Sequence, residues 1–297
     1  MGKKLVFRGA ATALITPMKR ERIDYPALEK IIEAQIAGGI EALVIGGTTG
    51  EAATLTDGER YELYSFAKDK IRGRTKLIFG TGTNDTKAVI NHTKMARDIG
   101  CDATLVVTPY YNKGTYRGVT EHYKKIADCS ETPIILYNVP TRTGVNLTVK
   151  QIEELAKKES IVGIKEASDS ADRLTELSKF GDELYLYAGN DSQIFLTLAL
   201  GGKGVISVVS NLYPKRISDI CISHFRGDTE SSLKGQLELF DFIKLMFKET
   251  NPAPIKYAMS IAGLCSADIR LPLYKPEKAT RAAIKAEMMR LGMPLDA

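Results

Sequence analysis

Ile161-Val162-Gly163-Ile164-Lys165-Glu166 is a short, continuous apolar run that ends on a charged pair. Continuous rather than alternating, it reads over 161–165 as a strand buried on both faces, the kind that parallel sheets use. Lysine is rarely buried without a reason. Desolvation disfavours an ammonium ion, and a neutral amine adds to carbonyls to form a Schiff base. The plainer alternative is a lysine just past the strand end that extends its amine to water. The segment alone leaves both open.

Seven further runs of this kind lie at 10–16, 42–46, 77–80, 103–108, 134–138, 184–188 and 204–208. Helical periods separate them. Leu28, Ile31, Ile32 and Ile36 share a face that Gly38-Gly39 ends. Thr56 and Glu59 have capping-box spacing, as do Thr148 and Gln151. Val89, Thr93, Ala96 and Ile99 stop at Gly100, and Ile194, Phe195, Leu198 and Ala199 stop at Gly201-Gly202. Strict βα alternation with eight strands predicts an α/β chain folded as a (β/α)8 TIM barrel, in preference to a doubly wound open sheet. Beyond about residue 212 the strand signal fades. Residues 217–225, 233–247, 255–263 and 278–291 read as helices, interrupted by Asn251-Pro252-Ala253-Pro254 and Leu271-Pro272. The expected organisation is a barrel domain over 1–224 and a C-terminal helical domain over 225–297.

Composition narrows the partners. The 297 residues are 44% hydrophobic and carry a net charge of +5, with 41 basic and 36 acidic side chains. The basic doublets Lys3-Lys4, Lys124-Lys125 and Lys157-Lys158 stand apart, so nothing points to nucleic acid. Cys101, Cys129, Cys221 and Cys265 are widely spaced without a C-x-x-C, which suggests free, mostly buried thiols in a reducing compartment. His92, His122 and His224 are isolated, so a His/Cys metal site lacks support, while a carboxylate site stays open. No stretch has the length of a membrane span, and the N-terminus has no secretory h-region.

In a barrel the reactive groups stand at the C-terminal strand ends. There the sequence places Gly46-Gly47-Thr48-Thr49-Gly50-Glu51, Pro109-Tyr110-Tyr111-Asn112, Tyr137-Asn138-Val139-Pro140-Thr141-Arg142-Thr143-Gly144, Lys165, Gly189-Asn190-Asp191 and Ser207. Hydroxyls, phenols, a lysine and an arginine suit carbonyl chemistry. The Gly-Thr-Thr-Gly turn is either a plain tight turn or a nest of N–H groups for a carboxylate. It lacks the spacing of a P-loop. Tyr111, Tyr137 and Thr48 are either a proton relay or ordinary strand-end side chains with wet hydroxyls. The fork of Arg142 suits a second carboxylate, or else pairs with an acidic neighbour. Gly201-Gly202-Lys203-Gly204 precedes a strand instead of opening a helix and is read as structural.

Gly47-Thr48-Thr49-Gly50-Glu51, Tyr137-Asn138-Val139-Pro140 and Gly163-Ile164-Lys165-Glu166 resemble, in the right order, the signatures of the class I pyruvate aldolases, the family of dihydrodipicolinate synthase and N-acetylneuraminate lyase. The resemblance spans nearly the whole chain and takes in Thr108-Pro109-Tyr110-Tyr111-Asn112 and Asn251-Pro252-Ala253-Pro254-Ile255-Lys256. Pro140-Thr141-Arg142-Thr143-Gly144 looks like the synthase branch, since lyases of sugar acids usually lack the arginine. The resemblance implies a Schiff-base-dependent lyase that condenses pyruvate with L-aspartate 4-semialdehyde to 4-hydroxy-tetrahydrodipicolinate, in lysine and diaminopimelate biosynthesis. It implies Lys165 as nucleophile and Thr48, Tyr111 and Tyr137 as the proton relay, with Tyr111 reaching into a neighbouring subunit. The backbone amides of Thr48 and Thr49 would hold the pyruvate carboxylate and Arg142 the aldehyde, with Gly189 and Ile206 lining the same pocket. No metal or organic cofactor is implied, because the lysine is the electron sink. A cytoplasmic homotetramer, a dimer of dimers, is implied as well. Lysine-inhibited members carry an allosteric site near Asn84 and Tyr110. They commonly have a glutamate where this chain has Ala88 and a histidine or similar group where it has Arg60, so inhibition by lysine is expected to be weak or absent. Two other readings compete: an aldolase for sugar acids, and a barrel that senses a keto acid without turning it over.

Overall fold

Each apolar run becomes a strand, and the strands close on themselves. In the computed structural model, which describes residues 2–295, they are β1 (Gly9–Ala13), β2 (Ala42–Ile45), β3 (Lys76–Gly80), β4 (Ala103–Val107), β5 (Ile134–Asn138), β6 (Ile161–Glu166), β7 (Tyr185–Ala188) and β8 (Gly204–Ser207). All pair in parallel and in chain order, and β8 returns to β1. The helices α1 (Tyr25–Ala37), α2 (Asp57–Ile71), α3 (Thr86–Ile99), α4 (Tyr116–Asp128), α5 (Val149–Ala156), α6 (Ala171–Ser178), α7 (Ile194–Ala199) and α8 (Pro214–Phe225) surround the barrel. The chain is thus a (β/α)8 barrel. It continues into α9 (Thr229–Met246), α10 (Ala253–Ile261) and α11 (Lys278–Arg290).

Local chemistry sets these elements. Both capping boxes form: Glu59 N donates to Thr56 Oγ1 at 3.2 Å and Thr56 N to Glu59 Oε2 at 2.9 Å, and Thr148 and Gln151 repeat the exchange at 3.1 and 3.0 Å. Alternation along the strands then divides the core. Ile134, Leu136, Ile161 and Ile164 face the helix layer and pack with Tyr123, Leu155 and Leu174. The inner face sets small Ala11, Ala13, Ala42 and Ala103 in one cluster with Tyr185 and Tyr187. Phe7 joins them: it stacks on Tyr187 at 4.4 Å and accepts the Tyr187 hydroxyl at its carbonyl at 2.9 Å. One barrel end is thereby plugged, and the C-terminal strand ends are left for a site.

Three local differences from the sequence reading have simple causes. β1 stops at Ala13, because the segment towards Pro17 leads into a short hairpin, Met18–Lys19 against Arg22–Ile23. β6 runs one residue further, to Glu166. The Pro-Thr-Arg-Thr-Gly loop is a turn of helix, Pro140–Thr143, with proline at its first position and Gly144 at φ 68° behind it.

The C-terminal helices are tied to the barrel by ion pairs. Lys256 Nζ meets Glu51 Oε1 at 2.5 Å with both side chains 1% exposed, and Arg270 pairs with Glu59.

Candidate active site

A cavity of about 460 Å3 opens at the C-terminal ends of β2 to β5, with Thr48, Tyr110, Tyr137, Arg142 and Asn251 on its walls. The turn after β2 supplies one wall. Gly50 N and Ala52 N donate to Gly47 O at 3.1 and 3.3 Å, and Glu51 N to Thr48 O at 3.1 Å. Among the described residues, the N–H groups of Thr48 and Thr49 donate to no backbone carbonyl. Two adjacent donors are thus left unclaimed, which is what an anion nest requires. Glu51 closes the turn in the left-handed region, φ 57°, and is fixed by Lys256 and by the N–H of Arg270 at 3.0 Å.

Lys165 is 4% exposed, so the reading in which it reaches for water is overturned. Its register neighbours are Tyr137 on β5 and Tyr187 on β7. Its Nζ lies 4.3 Å from the centroid of the Tyr137 ring, a cation–π distance. Two other buried cations have counter-ions, Lys256 with Glu51 and Arg173 with Glu166, and a third, Arg60, is held by hydrogen bonds to Tyr64 Oη, Gly80 O and Ala52 O. Among the described residues Lys165 has neither an ion-pair nor a hydrogen-bond partner. It touches the cavity through Tyr137, which stands on the wall.

On the opposite face of the same strand pair, Glu166 accepts from Arg173 Nε, Asn138 Nδ2 and Ser168 N, each at 2.9 Å. This network rivets β5 to β6 one residue beyond Tyr137 and Lys165. Nothing in the sequence marks it, because its members read as ordinary polar residues. Gly189 N donates to Glu166 O at 2.7 Å, and a Cβ there would meet that oxygen at 2.6 Å, so only glycine fits. Asp191 follows, fully buried, with Oδ2 accepting from Val208 N at 2.9 Å. Burial pushes its carboxyl above the usual range, partly offset by a hydrogen bond from Ser207, the Val208 and Val209 amides and the charge of Lys165.

The remaining candidates divide. Thr49 and Ile206 are buried, 2% and 0% exposed, but neither they nor Gly189 stand among the residues lining the cavity; Ile206 packs in the barrel interior with Ala11 and Tyr187. Arg142 pairs with no carboxylate among the described residues; its Nη2 donates to Asn251 O at 3.0 Å. Tyr111 stands away from the cavity, 87% exposed at φ 73°. Arg60, Ala88 and His92 also line the cavity, with Tyr110. Arg60 is held there by Tyr64 Oη and Gly80 O at 3.2 Å and Ala52 O at 3.0 Å. Asn84 contributes its carbonyl to Asn112 Nδ2 at 3.0 Å. Among the described residues there is no grouping of three or more His, Cys, Asp or Glu side chains fit to hold a metal, and no helix is long and apolar enough to cross a membrane.

Comparison with known proteins agrees with this geometry. Residues 6–290 match the model of the dihydrodipicolinate synthetase family. The 4-hydroxy-tetrahydrodipicolinate synthase of Clostridium novyi is 44% identical over 281 residues, 94% of this chain and 95% of that one. Its counterpart in Alkaliphilus oremlandii is 42% identical over 286 residues, covering 96% and 99%. The crystal structure of dihydrodipicolinate synthase from Aquifex aeolicus superposes with a TM-score of 0.96 at 38% identity, covering 98% of this chain and 100% of that one.

Proposed function

The chain belongs to the dihydrodipicolinate synthetase family, and from that premise we propose that it condenses pyruvate with L-aspartate 4-semialdehyde to 4-hydroxy-tetrahydrodipicolinate through an imine on Lys165. The observation that carries the residue assignment is the buried amine of Lys165, without a counter-ion and against the ring of Tyr137. An unpaired buried ammonium is costly, and the other buried lysine, Lys256, has a carboxylate partner in Glu51.

In this reading Lys165 Nζ adds to C2 of pyruvate, and loss of water gives the imine. The hydroxyls of Tyr137 and Thr48, both on the cavity wall, carry the protons that addition and dehydration require. The protonated imine draws electrons from the pyruvate methyl group, which loses a proton to give an enamine. The enamine carbon attacks the aldehyde, whose oxygen takes up a proton. The amino group of the semialdehyde then adds to the imine carbon and expels the amine of Lys165, closing the ring. One water and one proton leave overall, and the lysine is regenerated. The unclaimed N–H groups of Thr48 and Thr49 suit the pyruvate carboxylate, and Arg142 suits the carboxylate of the second substrate.

Assembly and location belong to the same reading. Tyr111 projects from its own subunit, as a residue serving a neighbour's site would, and Leu233, Leu237 and Phe240 on α9 are 40%, 62% and 40% exposed. These features support a homotetramer. The four free cysteines support a reducing cytoplasm, although they are not mostly buried: of the four only Cys221 is, and Cys129 is exposed.

Borohydride reduction in the presence of pyruvate tests the core of the proposal. It should leave one 1-carboxyethyl group, on Lys165, and an unmodified intact mass would overturn the imine. Turnover with L-aspartate 4-semialdehyde then fixes the second substrate; cleavage of a keto-sugar acid instead would reassign the chain to that branch.

A further inference from the structure

Asn251 lies in the C-terminal extension, 202 residues from Thr49 and 109 from Arg142, yet it touches both. Its Nδ2 donates to Thr49 Oγ1 at 3.0 Å. Its backbone carbonyl accepts from Arg142 Nη2 at 3.0 Å. The residue is 5% exposed and stands on the cavity wall. Its Oδ1 is buried without a hydrogen-bond partner among the described residues. A buried unpaired acceptor weakens a fold, so stability alone gives no reason to keep an asparagine here.

Its two partners are the groups best suited to the two substrate carboxylates. Thr49 presents an unclaimed N–H, and its hydroxyl is the handle by which that peptide can be oriented. Arg142 is a long, exposed side chain whose fork binds two oxygens only when held in place.

We propose that Asn251 is a positioning residue of the active site: its side chain aims the Thr49 N–H at the pyruvate carboxylate, and its carbonyl steadies Arg142 for the carboxylate of the second substrate. This rests on the reading of the site given above. It makes a separable prediction, because substitution of the side chain removes the first contact and leaves the second.

The test uses the full-length enzyme. Borohydride trapping is titrated with pyruvate, and KM is measured for both substrates. Asn251→Ala should raise the pyruvate concentration for half-maximal trapping, and the KM for pyruvate, roughly 5- to 10-fold, the scale of one lost neutral hydrogen bond. The kcat at saturating pyruvate and the KM for the aldehyde should stay within about twofold, the level expected for contacts left in place. Thr49→Val removes the same bond from its other end and should give the same shift. The double variant should be no worse than either single one, and Thr49→Ser, which keeps the hydroxyl, should recover most of the shift seen in Thr49→Val. An unchanged pyruvate titration in Asn251→Ala, or additive losses in the double variant, overturns the proposal. If Asn251→Ala does not fold, equal pyruvate titrations in Thr49→Val and Thr49→Ser overturn it. Failure of the wild type to be trapped would instead remove the imine reading, and would be seen before any variant is made.

Discussion

Replacing Lys256 by methionine keeps the volume of the side chain and removes its charge. Glu51 Oε1 then loses its partner at 2.5 Å, while the carboxylate, 1% exposed, keeps only the Arg270 N–H at 3.0 Å on its other oxygen. Water cannot take the place of the lysine at that burial. Breaking a buried pair from one side costs about 3–5 kcal/mol, against a total stability of about 5–15 kcal/mol for a typical domain. At roughly 2–4 °C per kcal/mol, Lys256→Met should melt on the order of 10 °C below wild type, followed by far-UV circular dichroism. Adding Glu51→Gln neutralises the stranded charge and keeps an acceptor for the Arg270 N–H. The double variant should therefore be more stable than Lys256→Met by about 2 kcal/mol, a coupling expected only of groups in contact. A single variant within about 1 kcal/mol of wild type, or a double variant whose loss is the sum of the two single losses within about 0.5 kcal/mol, would refute the view that this pair pins the turn after β2.

Arg142→Ala should raise the KM for the aldehyde about 10- to 100-fold, the scale of a lost charge-assisted contact, and leave pyruvate trapping intact; a normal aldehyde KM would remove Arg142 from substrate binding. A lysine titration of the wild type should show no strong inhibition at sub-millimolar concentration, because Ala88 offers no carboxylate to the effector's ammonium where it lines the cavity with Arg60 and Tyr110. His122, pushed down to about 4 by burial against a weaker opposing pull from Asp85, stays neutral in the fold when the unfolded chain already takes a proton. Its contribution is therefore present above about pH 6.5 and lost as pH falls towards 4, and His122→Gln should flatten urea stability across that window. Glu59, held down to about 2 chiefly by the hydrogen bond from Arg270, contributes above the ordinary carboxylate pKa and is lost as pH falls towards 2; Arg270→Ala should shrink the stability change between about pH 5 and 2, and an unchanged slope would argue against the pair.

The barrel was legible because both of its signals are local. A strand covered on both faces must be apolar throughout, and each helix start carries its own cap, as Thr56 and Thr148 show. The direction of Lys165 was not legible: the same run admits a side chain turned to water or to the barrel axis, and only the register with Tyr137 and Tyr187 decides between them. Contacts between distant segments were hidden for the same reason. Asn251 on Thr49, Lys256 on Glu51 and Asn138 on Glu166 are set by how the chain closes, which no period of 2 or 3.6 residues encodes. The helical turn at Pro140–Thr143 was missed although proline and glycine bracket it, because four residues are too few to show a period.

The dependence of the Thr49 turn on Asn251 and Lys256 also bears on the order in which the chain is made. A nascent polypeptide finished as far as β8 already possesses Lys165, Tyr137, Thr48 and Arg142, but not the asparagine and lysine that brace the turn beside them. The groups proposed to react are thus synthesised before the pair that fixes the turn. A product ended between β8 and Asn251 would therefore carry the proposed nucleophile without a braced seat for the acid it is to capture.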